Sequence, residues 1–146
     1  ANTVSPYLID YTVKGTINRS GDGTFNFPGA AFGKTYYVII NHRNTLETWS
    51  GAPVSLPAAI NSYSFTTGLS QAFGNNMVGI GGVFAIISGD VNQDGLINLS
   101  DVLAMENSLL LMTMGYYPYD LTGDNLVEAA DFSLIENNIG KSKNRP

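Results

Sequence analysis

The feature that most restricts the fold of this chain is an acidic segment that occurs twice. Residues 90–108 and 120–138 align without gaps as DVNQDGLINLSDVLAMENS and DLTGDNLVEAADFSLIENN, and six of the nineteen positions are identical. In each copy a stretch rich in Asp and Asn comes first, and apolar residues at helical spacing follow it. This repeat indicates two equivalent loop–helix units that pack on each other about a pseudo-twofold axis.

The helical half of each copy carries one apolar stripe at i, i+3 and i+7. The stripe residues are Val102, Met105 and Leu109 in the first copy and Phe132, Ile135 and Ile139 in the second. This spacing places each set on a single helix face. We therefore expect the two helices to pack through these faces.

The loop half of each copy has the ligand spacing of an EF-hand-type calcium loop. Such a loop supplies oxygens from positions 1, 3, 5, 7, 9 and 12, with a main-chain carbonyl at position 7. The candidate ligands are Asp90, Asn92, Asp94, Leu96, Asn98 and Asp101 in the first loop, and Asp120, Thr122, Asp124, Leu126, Glu128 and Asp131 in the second. Two calcium ions are expected, with the position-12 aspartates bidentate. The alternative is a metal-free pair of Asp- and Asn-rich turns that cap helices.

Other loop positions agree with this interpretation. Gly95 stands at position 6, where the loop turns sharply, and Asn125 replaces it in the second copy, since Asn tolerates the left-handed region. Ile97, at position 8, is expected to pair with Val127 of the other loop. Asn98 is also expected to cap the first helix, because an amide oxygen there accepts free N–H groups of the first turn.

Charge is distributed unevenly along the chain. The net charge is −5, from seven basic and twelve acidic residues, and residues 44–140 contain ten acids and no base. Because this region has no basic residues to contact a phosphate backbone, we expect no nucleic-acid partner. The excess of acidic residues instead favours a bound cation. The sequence contains no run of eighteen apolar residues, so membrane insertion is not predicted. There is no Cys, which excludes disulfides and thiolate metal sites.

Residues before the repeat have the composition of short strands between Gly, Pro and Asn turns. We predict a hairpin from residues 7–18 and 24–27 and a central strand over 34–41. Further strands are predicted over 45–49, 52–56, 62–67 and 83–88. The predicted fold is mixed, with an antiparallel Ig-like β-sandwich over residues 1–88 and a small α-helical module with two calcium loops over residues 89–146.

Two calcium loop–helix units without regular entering helices resemble the dockerin family. Residues 81–88 before the first loop read as a strand, and residues 114–119 before the second contain Gly and Pro. The resemblance covers about residues 89–141. It implies docking onto a cohesin-type protein, as in cellulosomes, the secreted assemblies of polysaccharide degradation. A β-sandwich leading directly into such a module is similar to X-module–dockerin pairs and to C-terminal regions of large secreted bacterial proteins.

The resemblance also implies which residues contact a partner. Family members use loop positions 10 and 11, which are Leu99 and Ser100 in the first unit and Ala129 and Ala130 in the second. The Ser-Thr pair common in one dockerin class is absent. The apolar residues suit a contact with a partner or with the chain's own sandwich.

These observations predict a non-catalytic, calcium-binding terminal module of a larger protein that is secreted or lies at the cell surface. The chain starts without Met, as expected of a segment or a mature form. One alternative is a structural end-cap, which would bury the partner-contact positions. Another is a carbohydrate-binding sandwich, which would require Trp49 and a Tyr among Tyr36, Tyr37 and Tyr63 to be exposed and coplanar.

Two further features are interpreted as structural rather than functional or as a general contact surface. His42 is the only histidine, and no motif joins it to Ser50, Glu47 or Asp10 as a catalytic triad would require. Residues 109–114, LLLMTM, continue past the helical stripe and are expected to be buried against the sandwich or to form a contact surface. Catalysis is not expected.

Overall fold

The computed structural model describes residues 1–18, 20–57, 61–111 and 115–146. In these ranges, six short strands precede two helices: β1 Lys34–Tyr36, β2 Ile39–Ile40, β3 Thr48–Trp49, β4 Val54–Leu56, β5 Val78–Ile80, β6 Val83–Ala85, α1 Leu99–Leu110 and α2 Ala129–Asn138. Short 3-10 turns lie at Gly29–Ala31, Leu69–Gln71 and Phe73–Asn75. Within the described ranges, neither helix is long and apolar enough to cross a membrane.

The strands form three separate antiparallel pairs: β1 with β4, β2 with β3, and β5 with β6. Tyr36 lies opposite Val54 in the first pair, and Ile39 lies opposite Trp49 in the second. The chain is therefore mixed, with antiparallel β structure and two helices. The two full sheets of the predicted β-sandwich are not confirmed in the part of the chain that the structure describes.

The predicted central strand 34–41 is split because its middle residues bond elsewhere. The N–H of Tyr37 donates to the carbonyl of Ala1 at 2.9 Å, and the N–H of Val38 donates to Ser50 Oγ at 3.1 Å. The first half, β1, pairs with β4, and the second half, β2, pairs with β3. The side-chain acceptor at Ser50 interrupts the regular ladder, which sequence periodicity does not reveal.

The predicted hairpin over residues 7–27 forms its turn but not its strands. Asn18 N–H donates to the carbonyl of Asp22 at 2.9 Å, yet the described residues on either side are not in strands. An ideal Cβ on Gly15 or on Gly23 would lie 2.8 Å from the ring of Phe25. The Phe25 ring thus packs over the two glycines, in space that side chains there would occupy. The predicted strand 62–67 is likewise irregular.

The main hydrophobic core joins the two parts of the chain. It contains Leu46 and Ile87 from the first part and Val91, Ile97, Val102, Met105 and Ile135 from the second. A smaller cluster of Phe65, Ala72 and Met77 lies within the first part. Because Leu46, Met105 and Ile135 are completely buried, the helices complete their core with residues that precede the repeat.

The helical stripes are largely confirmed. Val102, Met105 and Ile135 are buried, and Leu109 and Phe132 pack partly against the same core. The prediction for Ile139 is wrong, because this side chain is 52% exposed. The helix ends at Asn138, and Gly140, with φ of +87°, redirects the chain so that its N–H donates to the carbonyl of Ile97 at 2.8 Å.

Candidate metal centre

The aspartates at position 12 of the two loops have matching surroundings. Asp101 and Asp131 are completely buried at the first turn of α1 and α2. In each case one carboxylate oxygen accepts the N–H of position 2, and the other accepts the N–H of position 9, over 2.8 to 3.0 Å. The donors are Val91 and Asn98 in the first loop, and Leu121 and Glu128 in the second. The two copies of the sequence repeat thus place their position-12 aspartates in the same local geometry.

The aspartates at position 1 are equivalent in burial and at Oδ2, but within the described ranges only Asp120 has main-chain donors at Oδ1, from Gly123 and Asp124. Asp90 and Asp120 are 2% and 1% exposed. Asp90 Oδ2 accepts the N–H of Gly95 at 3.0 Å, and Asp120 Oδ2 accepts the N–H of Asn125 at 3.1 Å. Gly95 and Asn125 have φ of +90° and +72°, as predicted for position 6. The left-handed turn aims this main-chain N–H back at the first carboxylate.

Asp90 gives the clearest indication that the first loop fits a cation. Its Oδ1 is buried and has no hydrogen-bond partner among the described residues. Burial raises the pKa of Asp90, the carboxylates of Asp101 and Asp94 raise it further, and the N–H of Gly95 opposes them. A buried carboxylate oxygen is costly unless it is paired or binds a metal. The first loop therefore fits a hard cation.

The remaining candidate ligands lie along the exposed edges of the loops. Asp94 and Asp124, at position 5, each accept the N–H of position 7 at 2.9 Å. Thr122 Oγ1 lies 3.4 Å from Asp120 Oδ1. Asn98 caps α1 as predicted, since its Oδ1 accepts the N–H of Ser100 at 2.6 Å. Glu128 is exposed at the start of α2, and Asn92 Nδ2 donates to Asp94 Oδ2.

The sequence-predicted ligands therefore lie on two short loops. Among the described residues, no three His, Cys, Asp or Glu side chains converge in a metal-binding cluster. Asp101 and Asp131 each accept two N–H groups on Oδ1 but only one on Oδ2, so a lone pair remains free on Oδ2. The donor set is entirely oxygen, which suits calcium rather than zinc or copper.

The main chain of Ile97 is not paired with the other loop, so the predicted Ile97–Val127 pairing is wrong. The N–H of Ile97 instead donates to the carbonyl of Lys141 at 2.9 Å, and the N–H of Lys143 donates to the carbonyl of Gly95 at 2.9 Å. Residues 140–145, here called the C-terminal tail, thus run antiparallel to the first loop. Both side chains at position 8 still pack into the main core.

Segment 43–45 borders both loops, which the sequence did not indicate. Asn44 Nδ2 and Arg43 Nη2 both donate to the carbonyl of Asp120 at 3.1 Å. Gln93 Nε2 donates to the carbonyl of Thr45 at 3.2 Å. No periodicity marks these contacts; the only available signal was an isolated polar cluster, NHRN, between apolar strands.

The predicted partner-contact residues are all at the surface. Leu99 is 65% exposed, and Ser100, Ala129 and Ala130 are exposed as well. On α1 the exposed apolar surface continues through Leu103 and Leu110, which are 49% and 82% exposed. We call Leu99, Ser100, Leu103 and Leu110 the α1 face. Of residues 109–114, Leu111 is 79% exposed, and residues 112–114 lie outside the described ranges.

The candidates for other activities have structural partners. His42 Nδ1 lies 2.9 Å from Asn44 Oδ1, while Glu47 accepts from Trp49 Nε1 and pairs with Arg145. Trp49 is 3% exposed and meets Tyr37 at an interplanar angle of 58°. The exposed coplanar platform required for sugar stacking is therefore not present at Trp49.

Comparison with known families locates a match in the second part of the chain. Residues 88–140 match the model of the dockerin type I domain. Neither the curated proteins nor the solved structures compared with the chain gave a match. The matched segment begins before the first loop and ends after α2, so it contains both candidate calcium loops.

Proposed function

We propose, from the premise that residues 88–140 are a dockerin type I domain, that this chain is a calcium-binding module that attaches a larger secreted protein to a cohesin-type partner. A dockerin domain is a non-catalytic module of protein–protein attachment. The observation that carries the proposal is the matched geometry of the two loops within the matched segment: Asp101 and Asp131 have the same burial and hydrogen bonds, and Asp90 and Asp120 have the same burial and the same bond at Oδ2.

Two calcium ions are proposed, one in each loop. The ligands are the side chains at positions 1, 3, 5, 9 and 12 and the carbonyls of Leu96 and Leu126 at position 7. When bound, calcium supplies the positive charge that offsets the crowded carboxylates and fixes the start of each helix. A metal that binds only the folded state, present at a hundred times its dissociation constant, stabilises that state by about 2.7 kcal/mol per site.

The α1 face is proposed as the partner surface. It presents an apolar stripe in which Leu99, Leu103 and Leu110 recur at helical spacing, beside the exposed Glu106. Leu99 occupies loop position 10, which dockerins use for docking. An exposed apolar patch of this kind typically marks a protein contact. The exposure of Leu99 and Ser100 favours attachment over a structural end-cap, in which these residues would be covered.

The second unit offers a poorer surface for the same contact. Its equivalent positions are Ala129 and Ala130, which carry small side chains, followed by the exposed Ser133. Burying Ala removes much less apolar area from water than burying Leu. We therefore propose one docking mode through the α1 face rather than two equivalent modes.

The parent protein is proposed to be exported to the cell exterior or cell surface. This follows from the dockerin domain, since dockerins act in secreted assemblies, and agrees with a need for calcium. Residues 1–88 would then be an adjoining module in the place of an X module, with a boundary near Gly89. The main core shared by Leu46, Ile87 and the helices supports an arrangement in which both parts work as one body.

The calcium proposal is tested by calorimetry on chelator-stripped full chain. We expect two sites, a rise in melting temperature on adding calcium, and reversal by EDTA. Magnesium is the control, because its preference for octahedral geometry with several retained waters suits this donor set poorly. A stoichiometry of zero would contradict the proposal, and a stoichiometry of one would confine it to the loop whose ligands remain effective.

The partner proposal is tested with a panel of purified cohesin domains in calcium and in EDTA. Leu103→Asp should abolish binding to any cohesin that the wild-type chain binds, whereas Ala130→Asp and Leu8→Asp should not. Leu8 is a matched control because it is 61% exposed outside the dockerin segment. Equal losses from Leu103→Asp and Ala130→Asp would show that both faces dock.

A further inference from the structure

We infer that Asn44 is a positioning residue for the second metal loop and connects it to the first, an inference that rests on the calcium binding proposed above. Asn44 is 4% exposed and lies between β2 and β3. Its Nδ2 donates to the carbonyl of Asp120 at 3.1 Å, and its own carbonyl accepts the N–H of Gly89 at 2.8 Å. Asp120 begins the second loop and Gly89 directly precedes the first, so one residue contacts the entrance of both.

The Asn44 side chain is held from both ends of its amide. Because Nδ2 must face the carbonyl of Asp120, Oδ1 faces His42 Nδ1 at 2.9 Å, and that ring nitrogen carries the hydrogen. Burial and the charge of Arg43 lower the pKa of His42, and the bond to Asn44 opposes them. The hydrogen-bond chain from His42 through Asn44 to Asp120 therefore has a single direction.

Arg43 reinforces the same contact. Its Nη2 donates to the carbonyl of Asp120 at 3.1 Å, its Nε donates to the carbonyl of Tyr117 at 3.1 Å, and its guanidinium lies 3.8 Å from the ring centroid of Tyr116. The carbonyl of Asp120 thus accepts two side-chain donors, which fill both of its lone pairs. This fixes the peptide of Asp120 and, through it, the direction of the position-1 carboxylate.

The first loop is braced against the same segment from its other side. Gln93, at position 4, donates through Nε2 to the carbonyl of Thr45 and also to the carbonyl of Asp90. The carbonyl of Asp120 is therefore held directly by Arg43 and Asn44. The carbonyl of Asp90 is held by Gln93, which also bonds the carbonyl of Thr45. Groups outside the ligand shell that orient ligands in this way change metal affinity by about 10- to 100-fold when they are removed.

The experiment is a calcium titration of the full chain followed by NMR at two amides. The Gly95 N–H bonds Asp90 and reports on the first loop, while the Asn125 N–H bonds Asp120 and reports on the second. In Asn44→Ala we expect the midpoint at Asn125 to rise about tenfold. The midpoint at Gly95 should change much less, because the main-chain bond from Gly89 to Asn44 remains.

The control is Asn138→Ala. Asn138 Nδ2 donates to the carbonyl of Ser88 at 2.9 Å, so this change removes a similar bond between the two parts of the chain, away from the second loop. It should lower stability without raising the Asn125 midpoint selectively. Asn44→Asp keeps the shape of the side chain but removes the Nδ2 donor and adds a negative charge. The added charge alone would strengthen calcium binding. If Asn44 positions the second loop, calcium binding reported by the Asn125 amide should instead become weaker.

An unchanged Asn125 midpoint in Asn44→Ala, or equal shifts at both amides, would overturn the inference while leaving calcium binding intact. Tighter binding in Asn44→Asp would also overturn it. If Asn44→Ala does not fold, Arg43→Ala decides the question. Loss of the positive charge alone would tighten calcium binding at the second loop, whereas loss of the bond to the Asp120 carbonyl would weaken it. A wild-type chain in which neither amide responds to calcium would overturn the proposed function as well.

Discussion

Leu46 and Ile135 are both completely buried in one hydrophobic cluster, although they lie on opposite sides of the start of the repeat. The loop–helix units therefore depend on an apolar side chain from the first part of the chain. We predict that residues 89–146 alone melt at a lower temperature than the whole chain, even in saturating calcium. Thermal melts of the two proteins followed by circular dichroism test this, and equal melting temperatures would show two independent domains.

A single substitution tests the same dependence without removing any segment. Leu46→Ala should lower the free energy of unfolding by about 2–5 kcal/mol, because it leaves a cavity in the core that also contains Met105 and Ile135. Leu8→Ala, at a residue that is 61% exposed, is the matched control and should have little effect. Denaturant titration in saturating calcium measures both. A loss in Leu46→Ala no larger than in the control would argue against a shared core.

The position-12 and position-9 residues should differ in their importance for calcium. Asp101→Ala should weaken calcium binding more than Asn98→Ala, because position 12 is the bidentate ligand and position 9 often acts through water. Asp101 also accepts three main-chain N–H groups, from Val91, Asn92 and Asn98, so its loss loosens the loop itself. Calorimetry on the two variants gives the ranking. Equal losses would mean that the bound loop differs from the EF-hand type.

The junction before the first loop should not tolerate a side chain. Gly89 has φ of +123°, and a Cβ there would lie 3.2 Å from the Ile97 side chain and 3.4 Å from the main chain of Ile135. We expect Gly89→Ala to cost about 1–3 kcal/mol from backbone strain, with the tight contacts adding to it. Gly115→Ala is a useful comparison, since its φ of +101° is near that of Gly89 but the nearest atom to its Cβ position, in the Tyr117 ring, lies 3.9 Å away. Unfolding free energies of the two variants separate strain from crowding.

His42 should make the stability of the chain depend on pH. Its pKa in the folded chain is lowered by burial and by Arg43, whereas an unfolded His titrates at about 6.5. Between these two values the unfolded chain binds more protons, so the free energy of unfolding should fall as the pH falls below about 6.5. The difference between wild type and His42→Gln, measured across this range in saturating calcium, isolates the effect. A difference that is constant with pH would contradict it.

The sequence predicted the loops more accurately than the sheets because loop chemistry is local. The spacing of the loop aspartates, the left-handed turn at Gly95 and Asn125, and the cap at Asn98 are all determined within twelve residues. Each follows from what a nearby backbone group needs. The dockerin resemblance, which rests on these positions, is confirmed over residues 88–140.

Contacts between distant segments could not be predicted from these patterns. The split of strand 34–41 depends on a hydroxyl at Ser50, and the bracing of Asp120 depends on donors from Arg43 and Asn44. Hydrophobic periodicity reports which side chains are buried, but it does not report which distant polar group bonds to a given carbonyl. The predicted sandwich, which is not confirmed, had the same weakness, since short strands can pair in several registers and with several partners.

The pairing of the C-terminal tail with the first loop affects the order in which the molecule is completed during synthesis. The first loop leaves the ribosome before Lys141 and Lys143, the residues that pair with Ile97 and Gly95. Until those residues emerge, water must satisfy the corresponding N–H and carbonyl groups of the loop. The second loop has no such delay, because Arg43 and Asn44 are made before Asp120. The loop that is translated first therefore completes its main-chain pairing only after the second loop has been made.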